Sequence, residues 1–124
     1  MKAKLLLTVF GVLNVLQGLF LFFNADNLSR DSFPGASQEA INTAVLMHYP
    51  FSAAVATVGV ILLFLRSCEL SAMKKALMGY GVGVLLILIS VIGFNSSGGV
   101  APLPLVLANA VIMLVAFYGS VKAR

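Results

Sequence analysis

The stretch Val84–Ile92, VLLILISVI, is apolar on every side of any element it could form. A helix on a soluble domain keeps a polar face, and an outer-membrane strand alternates apolar with polar at period two. Neither pattern is present, so this run belongs to a helix surrounded by lipid or protein. Extended outward to Lys75 on one side and the polar Asn95 on the other, it becomes Ala76–Phe94. Three more segments of the same kind flank it: Leu5–Phe23, Ala44–Leu65 and Leu103–Val121. None of the four contains Asp, Glu, Lys or Arg. Each lies near the ~20 apolar residues that cross a ~30 Å hydrocarbon layer. The expected fold is all-α: a single four-helix transmembrane domain.

Composition carries the same message. Of 124 residues, 60% are hydrophobic and 10% charged, and mean hydropathy is +1.06, against about 25% charged in a soluble domain. The N-terminal run after Lys2 and Lys4 is longer than the ~7–15 apolar residues of a signal peptide and lacks an A-x-A site, so it reads as an uncleaved first span. Cys68 is the only cysteine and forms no internal disulfide, so helix packing alone must hold the fold.

Charge sets the expected orientation. Of the eight basic residues, Lys2, Lys4, Arg66, Lys74, Lys75, Lys122 and Arg124 fall on one side of a four-span hairpin, and Arg30 alone on the other. The positive-inside rule then puts both termini and the Arg66–Lys75 loop in the cytoplasm. The lipid bilayer is the expected environment. Nothing points to nucleic acid, because no soluble basic surface is large enough to bind it. On the other side, Asn24–Thr43 forms a connection in which Ser37, followed by Gln38 and Glu39, has the pattern of a helix N-cap. Leu28 and Phe33 are expected on the membrane surface or folded over the bundle mouth.

In lipid, contact faces are marked by small residues and isolated polar ones. The first span carries Gly11, Asn14 and Gly18, with Gln17 beside them. The second offers His48, Ser52, Ala56 and Gly59. The third repeats Gly79, Gly83 and Gly93, and the fourth carries Asn109, Ala116 and Ser120. Gly11, Gly18, Gly79, Gly83 and Gly93 are therefore expected at helix–helix contacts. Short links make consecutive spans antiparallel neighbours in an up-down-up-down bundle.

Asn14, Gln17, His48 and Asn109 approach one depth from three spans. Polar groups in hydrocarbon must find partners. The cluster is either an interhelical hydrogen-bond network or a pocket for a ligand with a polar head. No paired carboxylates, metal-ligand set or CxxC motif occurs, so neither catalysis nor a bound metal or cofactor is expected.

Three segments carry a family resemblance: GVLNVLQGLFLFFN at 11–24, HYPFSAAVATVGVILLFLR at 48–66 and PLPLVLANAVIMLVAFYG at 102–119. Together they resemble small bacterial four-helix membrane proteins of the DoxX-like kind. That resemblance implies a four-helix bundle in the bacterial cytoplasmic membrane and no catalytic motif, with Asn109 standing where the resemblance leads one to expect a carboxylate. The small multidrug transporters share the architecture, but they depend on a buried glutamate in the first span, where this chain has Asn14 and Gln17. Two functions follow as expectations. One is an accessory subunit of a larger membrane complex or homo-oligomer; the other is a binding or carrier protein for a small amphiphile, a lipid or quinone.

The charge division generates a direct test of orientation. A reporter fused after Arg124 should be active only in the cytoplasm, and Cys68 should resist an impermeant thiol reagent in intact cells. Labelling of Cys68 from outside would reverse the assignment.

Overall fold

A computed structural model describes residues 2–124, which form five helices and no strand. They are α1 (Ala3–Phe23), α2 (Ala25–Ser32), α3 (Gln38–Leu65), α4 (Leu70–Ser96) and α5 (Leu103–Lys122). Four of them, α1, α3, α4 and α5, are long and apolar enough to cross a membrane. Many large apolar side chains face outward, among them Phe23 at 77%, Phe64 at 74% and Ile92 at 71% exposure. A water-facing surface of that kind would aggregate, whereas a lipid-facing one costs nothing. The chain is an integral membrane protein.

The starts of α3 and α5 have a local cause. At α3, the Ser37 Oγ accepts from the Ala40 N–H at 3.3 Å, and Glu39 sits in the first turn. This helix continues through Pro50, which cannot donate to the Leu46 carbonyl. At α5, Pro102 is the N-cap and Pro104 lies in the first turn. The third span begins at Leu70, so Lys74 and Lys75 belong to α4 and not to a loop. There Lys74 Nζ donates to the Val121 carbonyl at 3.2 Å, placing a cation at the C-terminal end of α5.

Within the Asn24–Thr43 connection lies a short helix, α2, that the sequence does not predict. Asp26 is in its first turn and Arg30 in its last, four residues apart and paired at 2.9 Å. The Asp26 carboxylate raises the Arg30 guanidinium above its ordinary pKa, first by hydrogen bonding and then by charge. Eight residues are too few for a stable isolated helix. Burial of Ala25 and Ser29 against α3 holds it in place.

Packing divides the spans into two antiparallel pairs, α1 with α3 and α4 with α5. The α1–α3 seam is a close approach of small residues. A Cβ added at Gly18 would lie 2.7 Å from the Ser52 carbonyl oxygen and 2.8 Å from the Ala56 Cβ, and one at Gly11 would lie 2.9 Å from the Gly59 carbonyl oxygen. In the other pair, an added Cβ at Gly81 would meet the Phe117 ring at 2.9 Å. The pairs join at the end carrying both termini, through Leu6, Leu7 and Phe10 of α1, Leu62 of α3, Leu77 of α4 and Ala116 of α5. There the Ala3 N–H donates to the Arg124 carbonyl at 3.2 Å.

Two packing expectations need correction. Gly79, Gly83 and Gly93 make no helix contact, because an added Cβ at each would meet nothing within 4 Å. The contact glycine of α4 is Gly81, two residues from both Gly79 and Gly83 and so on nearly the opposite face from them. Likewise α3 and α4, though consecutive, touch only slightly, because α1 inserts beside α3 and α5 beside α4.

The seam can be tested by contrasting two glycines. Gly18→Leu should force α1 from α3 and lower stability by about 1–3 kcal/mol or more, as overpacking does. Gly83→Leu, on an open face, should change stability far less. Thermal unfolding in detergent reads both, and equal effects would refute the assignment of Gly18 to the seam.

Candidate functional site: a cleft between the helix pairs

Because the pairs meet mainly at one end, a cleft of about 420 Å³ separates them further along. From α1 it receives Asn14 and Gln17, from α4 Gly79, Tyr80 and Gly83, and from α5 Asn109. Its α3 wall is apolar, with Phe51, Val55 and Val58. The seam between α3 and α4 is open, since Phe51, Val58 and Ile87 on its edges are 52%, 40% and 46% exposed. At the end away from the termini, the segment around α2 bridges the mouth. Phe33 packs edge-on against Phe94 with centroids 5.5 Å apart, and the Val100 N–H donates to the Ser32 carbonyl at 2.9 Å. Phe33 thus folds over the bundle mouth.

The polar contact that joins two helices in the cleft is between Asn14 and Tyr80. The Asn14 amide nitrogen donates to the Phe10 carbonyl at 2.8 Å and to the Tyr80 hydroxyl at 2.6 Å. The first bond fixes the amide orientation, since a carbonyl only accepts. The Tyr80 hydroxyl hydrogen and the Asn14 carbonyl oxygen then remain free. The Tyr80 ring also packs against Phe10 at 5.2 Å. Tyr80 escaped the sequence reading, although a phenol at the middle of a span has to find a partner.

Asn109 bonds its own helix, donating to the Leu105 carbonyl at 2.9 Å. Among the described residues no enclosed side-chain nitrogen or oxygen lacks a partner. The unused valences of Gln17 and Asn109 are therefore open to the cleft. Three of the four expected polar residues, Asn14, Gln17 and Asn109, do line one space. No two of the expected four hydrogen-bond each other, so the network reading in its original form fails. The α1–α4 bond runs from Asn14 to Tyr80 instead.

His48 is the exception. It does not reach this cleft, and its Nδ1 lies 2.9 Å from the Ala44 carbonyl and 3.3 Å from Ser29 Oγ on α2. It lines a second cavity together with Phe33, Met47 and Phe94. The α1–α3 contacts, Gly18 on Ser52 and Ala56 and Gly11 on Gly59 and Leu63, put Asn14 level with Val58, so His48 lies about three turns, or ~15 Å, nearer the mouth. The helix α2 therefore takes the partner role expected of α1 or α5.

No charged side chain lines either cavity. Among the described residues, no group of three His, Cys, Asp or Glu side chains could hold a metal ion. What the cleft can do chemically is accept and donate hydrogen bonds against an apolar wall. No family model, curated protein or solved structure matches the chain.

A double-mutant cycle should detect the Asn14–Tyr80 bond. Tyr80→Phe should destabilise by about 1 kcal/mol, because it strips a partner from a buried N–H. Adding Asn14→Leu should cost less than the sum of the singles, with a coupling near the ~0.6 kcal/mol average for interhelical bonds. Strict additivity in reversible micellar unfolding would show that the bond contributes nothing.

Proposed function

We propose that the protein binds a small neutral amphiphile, a lipid or quinone, in the cleft between the helix pairs. The observation carrying this reading is a lined space of about 420 Å³ with free hydrogen-bonding valences on Asn14, Gln17, Tyr80 and Asn109 and no charge among them. A charged head would enter without a counter-charge, at a cost of several kcal/mol. A carbonyl or hydroxyl head finds both donors and acceptors, while its tail lies along Val55 and Val58. With both termini in the cytoplasm, the α2 end faces outward and the ligand enters through the open α3–α4 seam. Binding and transfer, with no covalent chemistry, are the expected activity.

A second occupant of the same space is favoured by one observation. Gly79 and Gly83 present bare backbone to the cleft, with nothing within 4 Å of an added Cβ. Small residues of this kind let a foreign helix approach closely. On that reading the protein is an accessory subunit, and a partner's helix fills the gap.

Extraction in mild detergent followed by native mass measurement separates the two. A carrier should retain a co-purifying lipid or quinone, and Gln17→Leu with Asn109→Leu should lose most of it while the protein stays folded. A stoichiometric protein partner, with no small molecule, would favour the subunit instead.

A further inference from the structure

The hydrogen bonds of His48 fix which of its nitrogens carries the proton. Nδ1 lies 2.9 Å from the Ala44 carbonyl oxygen, which can only accept. The hydrogen of the neutral ring therefore sits on Nδ1. Ser29 Oγ, at 3.3 Å from the same nitrogen, donates its own hydrogen to the Ala25 carbonyl at 2.7 Å. It is thus left to accept a share of the Nδ1–H bond. Nε2 then holds a bare lone pair. Since no enclosed side-chain nitrogen among the described residues lacks a partner, Nε2 is accessible. The space the ring lines is a cavity of about 450 Å³ beneath α2.

The walls of that cavity are specific. Phe33 and Phe94 meet edge to face, and Phe51 and Met47 complete an aromatic and thioether surface. Such walls favour a planar ring, held by edge-to-face, stacked and sulfur–aromatic contacts. Two polar side chains enter the lining, His48 and Ser32. The Ser32 hydroxyl can donate or accept, whereas Nε2 only accepts, so Nε2 selects an O–H or N–H donor on that ring. A ketone or ether placed at Nε2 would set lone pair against lone pair. A cation would find no carboxylate, and an anion would find no basic side chain in the lining. A ring bearing one neutral hydroxyl meets every requirement.

We propose that the cavity beneath α2 is a second binding site, which takes a neutral phenolic ring with its hydroxyl donating to His48 Nε2. The site is independent of the deeper cleft, from which Phe51 separates it by lining both. No bond is made or broken, and the proton stays on the phenol.

His48 is the only histidine, so a histidine-specific ¹⁵N label reports one ring. The protein is placed in phosphatidylcholine nanodiscs at one mildly alkaline pH throughout. Before any ligand, Nδ1 should give the protonated-type resonance and Nε2 the bare-type one. Titration with 4-hexylphenol should move Nε2 saturably, while 4-hexylanisole, which lacks the donor, should leave it in place. Ala44→Leu, whose side chain fills the cavity, should abolish the phenol response yet keep the Nδ1-protonated pattern that marks a folded site. Asn109→Leu, in the deeper cleft, should leave the phenol response intact. The proposal is overturned by a hydrogen on Nε2, by a phenol shift that is absent or never saturates, or by an equal shift with the anisole. Loss of the response in Asn109→Leu would also overturn it, by moving the phenol to the deeper cleft. The wild-type comparison of phenol with anisole decides the matter even if a variant fails to fold.

Discussion

Everything in this molecule depends on how closely α1 can approach α3. Between lipid-embedded helices there is no hydrophobic drive to association, so contact rests on dispersion and a few hydrogen bonds, both of which fall steeply with distance. Gly11, Gly18 and Gly59 remove the side chains that would hold the backbones apart. With α3 secured on one side, the terminal half of α1 is free to bury Leu6, Leu7 and Phe10 against α4 and α5. The helix is the hub of the fold. Its other half, from Asn14 outward, reaches the second pair through fewer contacts, and the cleft opens there.

Polar side chains decide how that opening survives in hydrocarbon. An amide left unpaired in lipid costs several kcal/mol. Asn14 and Asn109 each donate to the carbonyl four residues back on their own helix, and His48 and Ser29 do the same. This back-bonding supplies one partner per side chain without help from another helix. The Asn14–Tyr80 bond is then a single crosslink between the pairs at mid-depth.

The spans were legible in the sequence because lipid imposes a coarse rule: no charge over about 20 residues. The start of α3 was legible for a different reason, since the Ser37 cap is a local interaction that needs no knowledge of the fold. Azimuth was not legible. Small residues occur on both faces of α4, and Gly79, Gly83 and Gly93 keep a better rhythm than Gly81, yet only Gly81 meets a ring. Spacing tells which residues share a face but not which face has a neighbour. Nor was α2 legible, because its polar composition resembles a loop and its packing face is only Ala25, Ser29 and parts of Leu28 and Ser32. Missing α2 displaced His48, since its partner is Ser29 of that helix.

The same back-bonding has a consequence for occupancy. A site whose polar groups were satisfied only by a ligand would be costly when empty, and in lipid the helices would shift to close it. Here one donor of the Asn14 amide and one of the Asn109 amide are already held by their own helices, while the Tyr80 hydroxyl hydrogen, the Asn14 carbonyl oxygen and the Gln17 amide remain free. Those groups are accessible, so they are not stranded in a dry interior. On the proposed carrier reading, occupation would add hydrogen bonds without breaking any that the empty form needs. The Asn14 and Asn109 side chains are preorganised by bonds to their own helices, and Asn14 also by its bond to Tyr80. On the proposed carrier reading, a ligand would be spared the ordering cost that binding to a collapsed bundle would impose.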